Sequence, residues 1–214
     1  MEQMTVKAAK AVANVSTGNS KMPGTTYAID AFACKTGSKL AAIHGTPCHG
    51  CYARKLQKLR PSVDQGWKAN LTKWQNSSPD AWEQAVAFQI IRYNSDGYHR
   101  WFDSGDLQSV AMLRSIVNVC LMTPRIRHWL PTQEREFVKQ YLADGGTIPD
   151  NLVIRISAAK LNTVLHGWAN TSNVFTRDGV AIGTECKART RGNSCGPCRA
   201  CWDPAVVNVS YPKH

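Results

Sequence analysis

The sequence of 214 residues contains no apolar run that approaches the roughly 20 residues needed to cross a bilayer. Its N-terminal stretch, MEQMTVKAAKAVANV, also lacks the continuous hydrophobic centre that is typical of a secretory signal. We therefore expect a cytoplasmic protein without a membrane partner. There is no internal repeat or low-complexity tract, and 43% apolar residues suffice for one full hydrophobic core, so residues 1–214 are predicted to form a single domain.

Acidic residues are also scarce: 15 stand against 26 basic ones, which gives a formal net charge of +11. Such an excess attracts polyanions, because their bound counterions are released on association. The charge therefore favours nucleic acid, DNA or RNA, as a partner. An alternative is that the basic residues only aid solubility or balance a negatively charged thiolate cluster.

The hydrophobic pattern predicts alternating strands and helices from about residue 98 onward. Residues 1–20 are small and polar, and are expected to form a flexible arm before a first strand at 27–32. An α/β fold follows, either an open parallel sheet or a partial (β/α) barrel, because a complete barrel typically needs about 250 residues. Further strands are predicted at 98–102, 125–129 and 151–157, with helices at 65–74, after Ser78, from Ser109 and from Thr132.

Seven of the eight cysteines fall into two groups, and the C-terminal quartet lies within the cysteine-rich segment 184–204. A reducing compartment disfavours disulfides, so the close spacing predicts metal ligation. The gaps are eight, two and two residues, which suits the corners of a [4Fe-4S] cluster, with a structural zinc site as the alternative. Cys120 lies in a helical pattern and is given no role. The quartet consists of Cys186, Cys195, Cys198 and Cys201.

Cys34, Cys48 and Cys51 form the N-terminal trio, which follows the first predicted strand. Three protein ligands on a cluster leave one iron open to a small molecule, at the sheet edge where ligands bind in parallel folds. Two alternatives remain at this stage. His44 or His49 completes a closed site, or the trio shares one cluster with a C-terminal cysteine.

Two carboxylates follow the strand predicted at 98–102, in the sequence RWFDSGDLQS. Asp103 and Asp106, the strand-end carboxylates, should lie at the same sheet edge as the trio. Paired carboxylates at this position favour proton transfer or substrate orientation. The alternative is that Asp106 or Ser104 caps the helix beginning near Ser109.

Taken together, the stretches NSKMPGTTYAIDAFACKTGSKL, CHGCYARK, DSGDLQS and CGPCRACWD resemble the bacteriophage gene-product-eighty-eight domain family. The likeness spans most of the chain. It implies a phage-encoded protein, located in the cytoplasm of the host bacterium.

Two further resemblances bear on chemistry. The loop with Cys48 and Cys51 followed by Tyr52 resembles that of radical S-adenosylmethionine enzymes, which implies a partial barrel, a cluster on the trio and S-adenosylmethionine as cofactor. The stretch DSGDLQ is similar to the DSGGFQ of guanine transglycosylases, which implies base exchange on nucleic acid. Our main hypothesis is a radical-S-adenosylmethionine-like iron-sulfur protein acting on or binding nucleic acid. The alternatives are a non-catalytic iron-sulfur or zinc binding module and a transglycosylase-like enzyme that modifies DNA bases.

Overall fold

A computed structural model of the chain describes residues 4–213. Their seven strands form one open, all-parallel sheet in the order β1-β2-β3-β4-β5-β7-β6. This confirms the α/β prediction in its open-sheet form, because β1 and β6 are the two edge strands and do not pair with each other. The strands are β1 (Thr25–Tyr27), β2 (Tyr98–Trp101), β3 (Arg127–Thr132), β4 (Leu152–Ser157), β5 (Thr171–Phe175), β6 (Thr184–Glu185) and β7 (Asn208–Pro212).

Seven α-helices flank the sheet within the described residues, and their starts follow local capping chemistry. Ser78 and Ser109, whose side chains accept hydrogen bonds from the first turns, begin α5 and α6 at the predicted places. None of the described helices is both long and apolar enough to cross a bilayer. The helices are α1 (Val6–Val12), α2 (Lys35–Ala41), α3 (Tyr52–Leu59), α4 (Pro61–Asn76), α5 (Pro79–Tyr93), α6 (Val110–Met122) and α7 (Arg135–Ala143).

The segment expected as a flexible arm differs from the prediction, because its described part contains α1. Ala9 and Ala13 are fully buried, since small side chains let this short helix pack closely against α5. The first strand is also displaced from 27–32 to Thr25–Tyr27. Residues 31–33 form a 3-10 turn instead, because the Asp30 carboxylate accepts a hydrogen bond from the Phe32 N–H.

The two faces of the sheet have different covers. The larger hydrophobic core lies between one face and the helices, mainly α1, α5, α6 and α7. On the other face a smaller cluster joins Trp129 and Met22 to Trp202 of the cysteine-rich segment. Trp129 and its neighbour Leu130 belong to different clusters, because successive strand residues point to opposite faces. The cysteine-rich segment is therefore part of the core.

Candidate metal centres

The N-terminal trio lies beyond the carboxyl end of β1. Cys34 directly precedes α2, and Cys51 directly precedes α3. Cys48 begins the turn that leads into α3, in which the Cys51 N–H donates to the Cys48 carbonyl at 3.1 Å. Two short helices and one turn thus present all three thiols, and sequence analysis had not predicted either helix.

Gly37 shows how closely two of these thiols approach. A Cβ placed on it would lie 3.7 Å from Cys34 Sγ and 3.6 Å from Cys48 Sγ, so the two sulfurs are within about 7.3 Å of each other. Burial, with smaller contributions from neighbouring acidic groups and thiols, raises the pKa of Cys34 and raises that of Cys48 to about 12. The thiols of Cys34, Cys48 and Cys51 therefore share one electrostatic environment.

Glu134 holds the start of α2 and was not anticipated from the sequence. One carboxylate oxygen accepts from the Thr36 N–H at 2.6 Å, and the other accepts from the Thr36 hydroxyl at 2.8 Å. Because Thr36 is two residues from Cys34, this bond ties the trio to the carboxyl end of β3. No sequence pattern signals such a pairing across 98 positions.

Asp106 is buried and joins the ends of β2 and β3. Its carboxylate accepts hydrogen bonds from the Thr132 hydroxyl at 2.5 Å and from the N–H groups of Gln133 and Leu107, both at 2.8 Å. Burial raises its pKa to about 7, although these hydrogen bonds act in the opposite direction. The alternative that Asp106 or Ser104 caps the helix α6 is wrong, because Ser109 is the N-cap residue and its hydroxyl accepts a hydrogen bond from the Met112 N–H.

Asp103 is less buried than Asp106, and one of its carboxylate oxygens lacks a hydrogen-bond partner among the described residues. Its backbone carbonyl accepts from the Tyr52 hydroxyl at 2.6 Å, which connects the β2 end to the residue after Cys51. Asp103 Oδ1 is buried without a hydrogen-bond partner in residues 4–213, and burial raises the pKa of this carboxyl. Phe102, which precedes it, has a φ of 52°, a costly conformation for an aromatic residue. Of the strand-end carboxylates, Asp103 is therefore the one with an unpartnered oxygen among the described residues.

The C-terminal quartet surrounds a cavity of about 20 Å³ on the second face of the sheet. All four thiols line it, and none of the N-terminal trio does. Cys195 is anchored by its N–H, which donates to the Lys21 carbonyl at 2.7 Å, and Cys201 Sγ lies 3.1 Å from the Tyr211 hydroxyl. The four cysteines that the sequence groups together therefore line one cavity, which is separate from the trio.

Arg155 of β4 organises the loop that carries Cys201. It is fully buried, and its guanidinium donates to five backbone carbonyls at 2.7–3.4 Å. It forms no salt bridge with any described carboxylate. A buried cation without a carboxylate is costly unless another anion balances it. The five carbonyls belong to Thr171, Ala200, Cys201, Asp203 and Val206.

A second arginine, Arg100 of β2, lies on the same face of the sheet as Trp129. The Arg100 guanidinium stacks on Trp129 at 4.7 Å and donates to the Met22 sulfur at 3.3 Å. Burial lowers the pKa of Arg100, but the negative charges of Tyr52, Asp103, Tyr211 and Cys201 together raise it above its usual value. Burial raises the pKa of Cys201 to about 12, and both arginines counteract that rise. The second face of the sheet thus supplies positive charge beside the quartet.

None of the eight cysteines forms a disulfide, and all of them lie among the described residues. Cys120 is buried in α6, within the larger core. Over residues 4–213, no three or more His, Cys, Asp and Glu side chains are arranged to hold a single metal ion. His49 Nδ1 lies 3.2 Å from the Ala41 carbonyl, and its ring packs on His44 at 4.1 Å. Ligation by the trio or quartet, and a catalytic role for the strand-end carboxylates, stay predictions.

The fold and the thiol arrangement define an open parallel α/β protein with two separate cysteine groups, one at the strand ends and one on a sheet face. The sequence profile of the Gene product 88 family matches residues 3–204. The chain therefore belongs to the Gene product 88 family, as the motifs indicated. No curated protein and no solved structure gives a match to it.

Proposed function

We propose that this chain is an iron-sulfur protein that acts on or binds nucleic acid, with radical-S-adenosylmethionine-like chemistry at the N-terminal trio. The observation that carries the proposal is the convergence of four thiols on one cavity beside a buried cation with no carboxylate partner. Four thiolates around an inorganic cluster are anionic, so Arg155 and Arg100 would balance them. The ligands in both groups are cysteine thiolates, and such soft sulfur ligands favour iron-sulfur clusters or zinc.

The quartet would hold a fully ligated cluster. Cys186, Cys195, Cys198 and Cys201 would supply all four protein ligands, and the Tyr211 hydroxyl, 3.1 Å from the Cys201 sulfur, could donate a hydrogen bond to it. Hydrogen bonds to ligand sulfurs tune the potential of such a centre. Of the two proposed clusters, the one at the quartet would have a structural or electron-transferring role, because its four protein ligands leave no iron open to a substrate.

The trio would hold a cluster with one iron free of protein ligands, which supplies reductive chemistry on a bound small molecule such as S-adenosylmethionine. The protein's own groups define the surroundings of that position. Glu134 and Thr36 fix the chain beside Cys34, and Asp106 locks the neighbouring strand ends. Asp103 offers an unpartnered carboxylate oxygen that can accept a hydrogen bond from substrate or cofactor.

Anaerobic purification followed by iron, zinc and acid-labile sulfide analysis tests the metal assignment. We expect brown protein containing iron and sulfide, with about half of each lost in Cys195→Ser and the other portion lost in Cys34→Ala. Cys120→Ala is the matched control, because this thiol lies within the hydrophobic core and should leave metal content unchanged. Zinc without sulfide would overturn the iron-sulfur assignment.

The chemistry has a separate test. Reduced protein should cleave S-adenosylmethionine, and Cys34→Ala should abolish that turnover while the quartet retains its iron. A second candidate function is a non-catalytic nucleic-acid-binding module, which is favoured by the role of Arg155 in building the quartet into the core. Full iron content without any cleavage, together with nucleic-acid binding, would select that alternative.

A further inference from the structure

A cleft of about 380 Å³ opens at the carboxyl ends of β5 and β7, away from both groups of thiols. Its volume is in the range of small-ligand sites, and the carboxyl edge of a parallel sheet is the usual place for such sites. It is lined by Phe175, Thr176, Arg177, Arg189, Pro212 and Lys213.

The charges around this cleft have one sign. Arg177, Arg189 and Lys213 contribute three cations, and no acidic residue lines the cleft within the described chain. Asp178, which follows Arg177, is exposed but is not part of the lining. Three cations in the lining, with no acidic side chain among the described lining residues, favour an anion with several oxygens, such as a phosphate.

The backbone holds these groups in place. The Lys213 N–H donates to the Phe175 carbonyl at 2.8 Å, and Arg189 Nη1 donates to the Lys213 carbonyl at 3.0 Å. The Arg189 side chain therefore connects the 3-10 turn at Arg189–Arg191 to the end of β7. Arg177 and Lys213 are exposed, so their charged ends are available to a ligand.

Phe175 gives the cleft an apolar surface beside the cations. Its ring is only partly buried, at the last residue of β5. An aromatic ring next to basic side chains is the arrangement with which proteins bind single-stranded nucleic acid, since bases stack on the ring and phosphates meet the cations. A duplex would keep its bases stacked and inaccessible to such a ring.

We infer that this cleft binds one nucleotide unit of a single-stranded nucleic acid, with a backbone phosphate between Arg177, Arg189 and Lys213 and its base on Phe175. This inference rests on the proposed function, because it gives the nucleic acid a place on the protein. Arg189 lies three residues after Cys186 in the chain, so the segment that carries the quartet also supplies one cation of the cleft.

Fluorescence anisotropy with a labelled single-stranded 12-mer, on anaerobically purified protein, tests the inference. Arg177→Ala and Lys213→Ala should each weaken binding on the order of tenfold at low salt, and each should reduce the salt slope by about 0.7. Arg125→Ala is the matched control, because Arg125 is an exposed arginine just before β3, at the opposite edge of the sheet. Phe175→Leu should weaken binding of the 12-mer but not of inorganic phosphate.

Each outcome has a defined meaning. Equal losses in Arg177→Ala and Arg125→Ala would overturn the cleft assignment while leaving nucleic-acid binding intact. Wild-type protein that binds no oligonucleotide would overturn both this inference and the nucleic-acid part of the proposed function. A mononucleotide that binds as tightly as the 12-mer would reassign the cleft to a free nucleotide, and unchanged binding in Phe175→Leu would overturn the stacking role.

Discussion

Replacing Arg155 with methionine should both destabilise the protein and empty the quartet. The substitution removes all five hydrogen bonds to backbone carbonyls, four of which are 3.0 Å or shorter. Buried acceptors left without donors cost about 1–3 kcal/mol each, whereas removing a buried charge recovers several kcal/mol of desolvation. We therefore expect a net loss of about 3–5 kcal/mol in the free energy of unfolding.

For a domain of this size, that loss corresponds to a decrease of about 6–20 °C in the melting temperature. Thermal unfolding followed by circular dichroism measures it, and iron analysis shows whether the quartet alone has lost its metal. Arg155→Lys should also lower the stability and the metal content, because a single ammonium group cannot reach all the carbonyls that the guanidinium group contacts. Arg125→Met, at an exposed position, is the control and should change stability by about 0.5 kcal/mol or less. A methionine variant with wild-type stability and full metal content would refute this reasoning.

Three further predictions concern the strand ends. Gly37→Ala should lower metal binding by the trio, because the new Cβ would lie 3.1 Å from the Cys34 Cβ. The control is Gly66→Ala, in open space within α4, which should raise the free energy of unfolding by about 0.5–1 kcal/mol. The raised Asp106 pKa means that the folded state retains a proton that the unfolded state has lost. Stability of the metal-free protein should therefore fall by up to about 4 kcal/mol between pH 4 and 7, and Asp106→Asn should flatten that profile in urea titrations. Gly105→Ala should unfold at a lower urea concentration, because Gly105 has a φ of +82° and an added Cβ would lie 2.3 Å from Ile29 Cγ1. An unchanged midpoint of urea unfolding would contradict the packing at Gly105.

Much of the central sheet could be predicted because its strands are apolar and its helices have clear caps. Ser109 and the β-branched run at residues 152–156 are examples in which local chemistry and final structure agree. The strands β5, β6 and β7 were not predicted. The sequences of β5 (TSNVF) and β7 (NVSYP) are short and polar, so they lack the apolar pattern of a buried strand. Their buried side chains Asn173, Asn208 and Ser210 form a hydrogen-bonded network in place of aliphatic packing.

The cysteine groups were predictable from spacing, but their surroundings were not. Arg155 lies inside the apolar strand LVIRIS, and an isolated charge in a buried strand is a signal that could have marked it. Glu134 carried no such signal, since its partner Thr36 is distant in sequence. Local patterns indicate which residues are candidate ligands, whereas the groups that orient them depend on how the strands are ordered.

The sheet order also determines when the quartet can form. The last strand, β7, inserts between β5 and β6, and the chain that joins β6 to β7 carries all four quartet thiols. The two-residue β6 pairs with β7 alone, and Tyr211, the hydroxyl neighbour of Cys201, belongs to β7. Under the proposed function, the complete quartet therefore requires the docked C-terminal strand, and a metal bound there would close the loop that keeps the sheet edge in place.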